Sequence, residues 1–276
     1  MQARDPHRFV NELDASATER LVARLENRAK DKVFTRLFDK YVAELRLPAS
    51  ARVLEIGCGA GAMLRALARR ADFTGHAVGI DQSPVFVDAA RQLADSEGVG
   101  QRLQFEVGDA HAIQFADAEF DAVIVNTVMS HVSNPDAVIA EVARVLRSGG
   151  KVAVFDGDYA SLTYAHPDAE IGTRMDRALA NATFNNPRIM RELARLLPEH
   201  GLKLLAAWGD AVTEIGSGSF FRTFAETYVS YVIDAGFLPA DEVRAWHAVQ
   251  KQAMENGTFF AGCTYYTFIA ERPSAS

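Results

Sequence analysis

The chain has 276 residues, 49% of them hydrophobic and 24% charged, with a net charge of −7. It is long enough to bury a sizeable core, and its composition is that of an ordinary globular protein. A pI of about 5.5 and no basic run longer than Arg69-Arg70 argue against nucleic acid, which needs clustered Lys and Arg to displace counterions. No stretch nears the ~18 apolar residues of a membrane span, and no apolar segment follows the polar start at 1–8. Two distant thiols, Cys58 and Cys263, suggest neither a zinc site nor a disulfide framework. A reducing cytoplasm is the expected compartment, with neither membrane nor nucleic acid as partner and homo-oligomerisation left open.

From its start the chain reads as helices. Ser16-Ala17-Thr18-Glu19 fits a capping box, with a hydroxyl for an orphan N–H and a carboxylate reaching back. Val33, Leu37, Phe38, Tyr41, Val42 and Leu45 recur at helical spacing. Leu47-Pro48 ends the pattern, because proline disfavours helix in the residue before it. An N-terminal helical segment over 1–48 follows from this.

A strand–helix alternation comes next. The pattern predicts strands at 53–56, 76–81, 103–107, 122–125 and 151–155, with helices at 63–70, 85–94 and 137–146. Ala122-Val123-Ile124-Val125 is apolar throughout, as suits a strand covered on both faces. Such alternation implies a parallel sheet with right-handed crossovers, so the class is α/β, doubly wound. Residues 157–186, rich in Tyr, Asn and Asp, read as irregular. A helix at 187–199 has proline near its start and Gly201 past its end, and a sixth strand at 202–208 follows it. The core spans 49–213. A helical insertion occupies 214–257, with Phe224, Tyr228, Tyr231 and Val232 on one stripe. The last strand and tail fill 258–276.

The strongest local signal is Glu55-Ile56-Gly57-Cys58-Gly59-Ala60-Gly61, between a strand and a helix. Glycines allow tight turning and let backbone approach a ligand, and the helix start offers free N–H groups and a positive dipole end. In a doubly wound sheet this is where ligands bind. The same glycines satisfy a dinucleotide fingerprint, Gly57-x-Gly59-x-x-Ala62. Asp81, at the end of Val78-Gly79-Ile80-Asp81, can accept from both hydroxyls of a ribose, which again fits either cofactor. Asp109, in Phe105-Glu106-Val107-Gly108-Asp109-Ala110, separates the candidates: it could accept from an adenine amino group while the Ala110 N–H donates to the ring.

Glu55, Asp81 and Asp109, ending three successive strands, resemble the class I S-adenosylmethionine-dependent methyltransferases. Residues 53–61 look like that family's first motif, Val78-Gly79-Ile80-Asp81 its ribose strand, and Gly108-Asp109-Ala110 its adenine site. Phe120-Asp121-Ala122-Val123-Ile124-Val125 is similar to its fourth strand, and Leu146-Arg147-Ser148-Gly149-Gly150-Lys151 to the turn into its fifth. The resemblance covers residues 50–156 and, more loosely, the final strand. It implies a Rossmann-like seven-stranded sheet whose last strand is antiparallel. It also implies S-adenosylmethionine as cofactor: Glu55, Gly57, Cys58 and Gly59 hold the methionine part, Asp81 and Gln82 the ribose, Asp109 and Ala110 the adenine. Asn126 and Thr127 would face the methyl end. The activity implied is methyl transfer to O, N or C of a small, partly apolar molecule.

A sulfonium methyl is already activated, so the protein needs chiefly to hold a nucleophile in line and exclude water. A general base is optional. His131, after the fourth strand, and Tyr164 are the candidate catalytic side chains, and Tyr159, Phe221 and Tyr228 the candidate substrate contacts. Asp158 and His166 read as structural. Strand four ends in Asn126 rather than a second acid beside Asp156, so no metal is expected, since hard cations want several oxygens. Cys58 reads as a small buried residue. The insertion, flanked by Gly216, Gly218 and Gly257, is expected to swing as a lid on the small residues Ser217-Gly218-Ser219. Two rival readings stay open on these residues: a nicotinamide-dependent oxidoreductase, which gives Asp109 no role, and a protein that binds S-adenosylmethionine without turnover.

Overall fold

The structure is a computed structural model that describes residues 5, 10 and 15–274. Its order is α1 (Ala15–Lys30), α2 (Lys32–Leu45), β1 (Arg52–Ile56), α3 (Ala62–Ala68), β2 (His76–Asp81), α4 (Pro84–Ser96), β3 (Leu103–Val107), β4 (Phe120–Asn126) and α5 (Pro135–Val145). Then come β5 (Leu146–Tyr164), α6 (Ala169–Thr183), α7 (Leu193–Glu199), β6 (Lys203–Gly216), α8 (Phe220–Asp234), α9 (Ala240–Glu255) and β7 (Phe259–Glu271). The sheet order is β3-β2-β1-β4-β5-β7-β6, with β1 to β5 parallel and β7 antiparallel to both of its neighbours. This is the doubly wound, seven-stranded architecture that the strand–helix alternation implies.

The apolar strands lie where covering on both faces requires. Val53, Leu54 and Ile56 of β1 and 122–125 of β4 have no solvent exposure. Alternate residues feed two separate cores. Leu54, Ile56, Val123 and Val125 meet α5 and α7 on one face. Val53, Ala122 and Ile124 meet α2, α3 and α4 on the other, in a core that continues into α6, α8 and α9.

Local signals set the helix starts. Asp31 accepts from the Val33 and Phe34 N–H groups at 2.8 and 3.4 Å at the start of α2. Ser83 caps α4 ahead of Pro84, and Asn134 caps α5 ahead of Pro135, each filling the N-cap role that satisfies an orphan N–H. The capping box expected at Ser16-Ala17-Thr18-Glu19 rests on the Ser16 side chain, which lies outside the described residues.

The sequence expectation fails over 157–186. Instead of an irregular stretch, β5 continues to Tyr164. It pairs with β7 through Asp158, slips, and pairs again at Thr163 and Tyr164. After it α6 is capped by Asp168, whose carboxylate accepts from the Glu170 and Ile171 N–H groups. Its buried face is Met175, Ala178, Leu179 and Ala182; two alanines in that stripe hide the helical period. The helix expected over 187–199 is a short 3-10 turn followed by α7.

The expected hinge is also corrected. Glu214 accepts from the Ser219 and Phe220 N–H groups at 2.8 Å and from Phe221 N–H at 2.9 Å. A side chain on Gly218 would meet Glu214 and Phe259. The segment is therefore pinned at its start by a carboxylate on a helix N-terminus, a favourable pairing with the dipole, rather than slack.

Candidate functional site

β1 ends at a loop that must turn sharply over the end of β2. Gly57, Gly59 and Gly61 all have positive φ (65°, 51° and 74°), a region that side chains resist. The loop is stitched to β2 by Cys58 N–H donating to the Ile80 carbonyl at 3.0 Å and by Gly59 N–H donating to Asp81 Oδ2 at 2.9 Å. Asp81 Oδ1 accepts from Ser83 N–H at 2.9 Å. One carboxylate thus holds two turns in register while keeping lone pairs for a ligand. Burial pushes its pKa above the usual carboxylate range, against the two N–H bonds.

Glu55 lies beside it, 2% exposed. Burial, then the Asp81 charge, pushes its carboxyl well above the usual range, despite Leu64 N–H and Arg65. Its Oε2 is buried and has no hydrogen-bond partner among the described residues. An unpaired buried carboxylate oxygen is costly, and it suits a cationic donor brought by a ligand.

These groups line a cavity of about 700 Å³ over the carboxyl ends of the strands. Of the sequence candidates, Glu55, Gly57, Cys58, Gly59, Asp81, Gln82, Asp109, Ala110, Asn126, Thr127, His131, Tyr159 and Tyr228 all line it. Asp109 Oδ1 accepts from His111 N–H at 2.8 Å and meets its Nδ1 at 2.6 Å. Burial pushes the Asp109 carboxyl up, but these His111 contacts outweigh it and hold it below the usual range. Burial pushes the Cys58 thiol well up, so the thiolate that would react is disfavoured.

Two candidates are corrected. Tyr164 is buried behind the wall and does not line the cavity; its hydroxyl donates to the Phe221 carbonyl at 2.9 Å. Phe221 has no exposure and packs edge-on against Tyr164 and Phe220. Both are core: Tyr164 because β5 and α6 continue where the sequence suggested a loop beside the substrate, Phe221 because Glu214 pins the start of α8 with this ring turned inward.

The roof comes from elements the sequence reading left without a role. Arg24, Leu25 and Arg28 of α1, with Phe34, Phe38 and Tyr41 of α2, line the cavity. Arg28 donates to Thr127 Oγ1 at 2.8 Å and Asn126 Oδ1 at 3.4 Å. Asn126 Nδ2 donates to the Tyr41 hydroxyl at 2.9 Å. On the other side, Glu26 pairs with the buried Arg65 of α3 at 2.7 Å. Thr127 sits at φ 55°, strained for a β-branched residue, and Arg28 holds it there. Arg24 and Arg28 stand i,i+4 on α1 beside Leu21 and Leu25; that spacing, which puts them on one face, was the available signal.

His131 faces the cavity where β4 ends. Asp5 Oδ2 engages its Nδ1 at 2.6 Å. Burial lowers its pKa, but Asp5, with Asp156 behind it, raises it on balance above the usual histidine value. Tyr159 stacks on Phe184 (interplanar angle 9°). Burial, then Tyr265 and Asp156, keeps its hydroxyl well above the usual tyrosine pKa, so it can donate but not act as a base near neutrality. Asp158 is tied to Arg191 at 2.7 Å. Among the described residues no three acids, cysteines or histidines gather as metal ligands, and no helix is long and apolar enough to cross a membrane.

Residues 54–154 match the Methyltransferase domain family. An uncharacterized 37.1 kDa transposon protein of Streptomyces fradiae is 30% identical over 79% of this chain and 61% of its own length. The 27-O-demethylrifamycin SV methyltransferase of Amycolatopsis mediterranei is 35% identical over 48% of this chain and 47% of its own. The chain thus spans less than two thirds of the length of these curated relatives. In fold, a candidate methyltransferase from Bacillus halodurans superposes with a TM-score of 0.62 at 18% identity, covering 86% of this chain and 99% of the other. The [4+2]-cyclase SpnF superposes at 0.58 with 24% identity, covering 88% and 82%, so the fold by itself does not name a reaction. Residues 54–154 thus match a methyltransferase domain, and the sheet order, with a glycine loop over three strand-end acids, is that of the Rossmann-like methyltransferase fold.

Proposed function

We propose that this protein transfers the methyl group of S-adenosylmethionine to O, N or C of a small, partly apolar molecule. The observation that carries the reading is Glu55, whose Oε2 is buried, unpartnered and set at a cavity that Asp81 and Asp109 also line. Glu55 would take the ammonium of the methionine part, with Gly57, Cys58 and Gly59 around it. Asp81 and Gln82 would take the ribose, and Asp109 and Ala110 the adenine. The cofactor supplies a methyl group already activated on a sulfonium. The chain's own work is to seat the acceptor, exclude water and receive a proton. Phe220, Phe224, Tyr228 and Tyr159 supply an apolar wall, and α1 and α2 cover it. His131 would take the acceptor's proton, with Asp5 stabilising the imidazolium that forms. Two buried free thiols, Cys58 and Cys263, support a reducing compartment, the cytoplasm.

Calorimetry tests the reading directly. S-adenosylhomocysteine should bind and NADH should not; tight NADH binding with no S-adenosylhomocysteine heat would sink it. The affinity should also depend on pH through Glu55. Its pKa is raised in the folded protein, so its stabilising contribution is present at acid pH and lost as pH rises through the folded value. Only above that value is it an anion for the ammonium. Binding should therefore weaken as pH falls through the raised pKa, by about tenfold or more, because a hydrogen bond to a charged group contributes ~1.5–3 kcal/mol. Glu55→Gln should bind weakly with a flatter profile. An unchanged slope would remove Glu55 from the ammonium site.

Asp81→Ala should likewise weaken S-adenosylhomocysteine binding by about tenfold or more. It deletes the ribose acceptor and also leaves Gly59 and Ser83 N–H groups without their partner, so some stability is lost as well. Asp81→Asn keeps an oxygen for one of the two turns and should lose less. A folded Asp81→Ala protein with native affinity would contradict the assignment.

A further inference from the structure

The half-buried guanidinium of Arg24 is the polar group on the acceptor side that the methyl-transfer reading leaves unused. Its Cζ lies 4.5 Å from the Tyr228 ring centroid, 5.2 Å from that of Phe224 and 5.8 Å from that of Phe220. Its Nη1 is buried and, among the described residues, meets no hydrogen-bond acceptor. The other arginine lining the cavity, Arg28, is engaged by Thr127 and Asn126. Ring faces partly compensate a guanidinium. They do not replace an acceptor for a buried N–H, which stays costly while unmade. The cavity's carboxylates, Glu55, Asp81 and Asp109, stand at the ends of β1, β2 and β3. Arg24 instead lies against α8.

We propose that Arg24 receives a carboxylate of the methyl acceptor, whose apolar body packs against Phe220, Phe224 and Tyr228. The proposal rests on the methyl-transfer reading and gives it a substrate class, a small apolar acid. A guanidinium presents two parallel N–H donors that match the two carboxylate oxygens. The ring faces beside it lower the local dielectric, which strengthens that pairing. The acceptor's charge would then fix which end of the molecule faces the methyl group.

The same chemistry could come from the amino-acid carboxylate of the cofactor, and the experiment separates the two sources. The protein is titrated with 2-naphthoate and with neutral 2-naphthamide, with and without saturating S-adenosylhomocysteine. The expected result is a preference for naphthoate of about tenfold or more, the worth of a hydrogen bond to a charged group. Arg24→Met should abolish that preference and Arg24→Lys retain part of it. S-adenosylhomocysteine and 5′-methylthioadenosine, which lacks the amino-acid carboxylate, are then titrated into Arg24→Met. Similar binding of naphthoate and naphthamide by the wild-type protein overturns the proposal, whether or not the variant folds. So does an Arg24→Met protein that keeps the preference. So does one that weakens S-adenosylhomocysteine but not 5′-methylthioadenosine, which would assign Arg24 to the cofactor. A wild-type protein that prefers naphthoate yet binds no S-adenosylhomocysteine sinks the methyl-transfer reading and leaves the anion site standing.

Discussion

Gly59→Val is expected to abolish S-adenosylhomocysteine binding, with a loss beyond about a hundredfold, or ~2.7 kcal/mol. Two effects add at this residue. Its φ is 51°, and a branched side chain strongly resists that region, where even an unbranched one costs about 1–2 kcal/mol. A Cβ there would also come within 2.9 Å of Leu25 Cδ1 on α1. Either the loop turns away, which breaks the Gly59 N–H bond to Asp81, or α1 is pushed off. Movement of α1 would carry Arg28 away from Thr127 and Asn126 and strain the Glu26–Arg65 pair. Both routes spoil the cavity rather than the core, so circular dichroism should still report a folded chain. Gly98→Ala is the control. That glycine also has positive φ (70°), but an added Cβ would meet nothing within 4 Å. It should cost about 1 kcal/mol of stability through backbone strain alone and leave binding unchanged. Native affinity in a folded Gly59→Val protein would mean that the loop does not cradle the cofactor.

The contrast between Gly59 and Leu25 shows what could be read from the sequence. Short-range features were legible. The glycine loop, the acid at the end of each of β1, β2 and β3, and the Ser83-Pro84 and Asn134-Pro135 starts each sit within a few residues and carry their own signal. The strand–helix alternation, with the wholly apolar run 122–125 in β4, pointed to the parallel, covered sheet. Long-range packing was not legible. Nothing local in Arg24, Leu25 and Arg28 says that α1 folds back over a loop some thirty residues on. Its role depends on the Glu26–Arg65 pair and on an i,i+4 spacing that equally suits a solvated helix face. Residues 157–186 failed for a different reason. β5 runs past a slip in its pairing with β7, and α6 buries alanines, so neither shows a clean period. A loop there would put Tyr164 beside the substrate, whereas the lid expectation for Phe221 rests on the aromatic cluster and flanking glycines of 214–257.

Phe221→Ala is accordingly expected to act on stability, lowering the free energy of unfolding by about 3–5 kcal/mol, the usual cost of truncating a fully buried aromatic ring. That is a large share of the ~5–15 kcal/mol that holds a typical domain together. The ring has no solvent exposure and meets Phe220 and Tyr164 edge-on, with centroids 5.0 and 6.1 Å away. The backbone around it is tied at both ends, through Glu214 at 2.9 Å and the Tyr164 hydroxyl at 2.9 Å. That framework should resist collapse into the space left behind, which places the cost toward the upper part of the range. The cavity wall is formed by Phe220, Phe224 and Tyr228 from other positions on α8, so ligand contacts should survive in the folded fraction. Urea titration should show the lowered midpoint with an unchanged slope, since the surface exposed on unfolding barely differs. S-adenosylhomocysteine affinity below the transition should stay within about threefold, under ~1 kcal/mol. Tyr228→Ala, by comparison, opens the cavity wall and removes a ring beside Arg24, so it should weaken naphthoate binding as well as stability. If Phe221→Ala unfolds at the native midpoint and instead loses acceptor binding, the ring belongs to the site and α8 must move in solution to expose it.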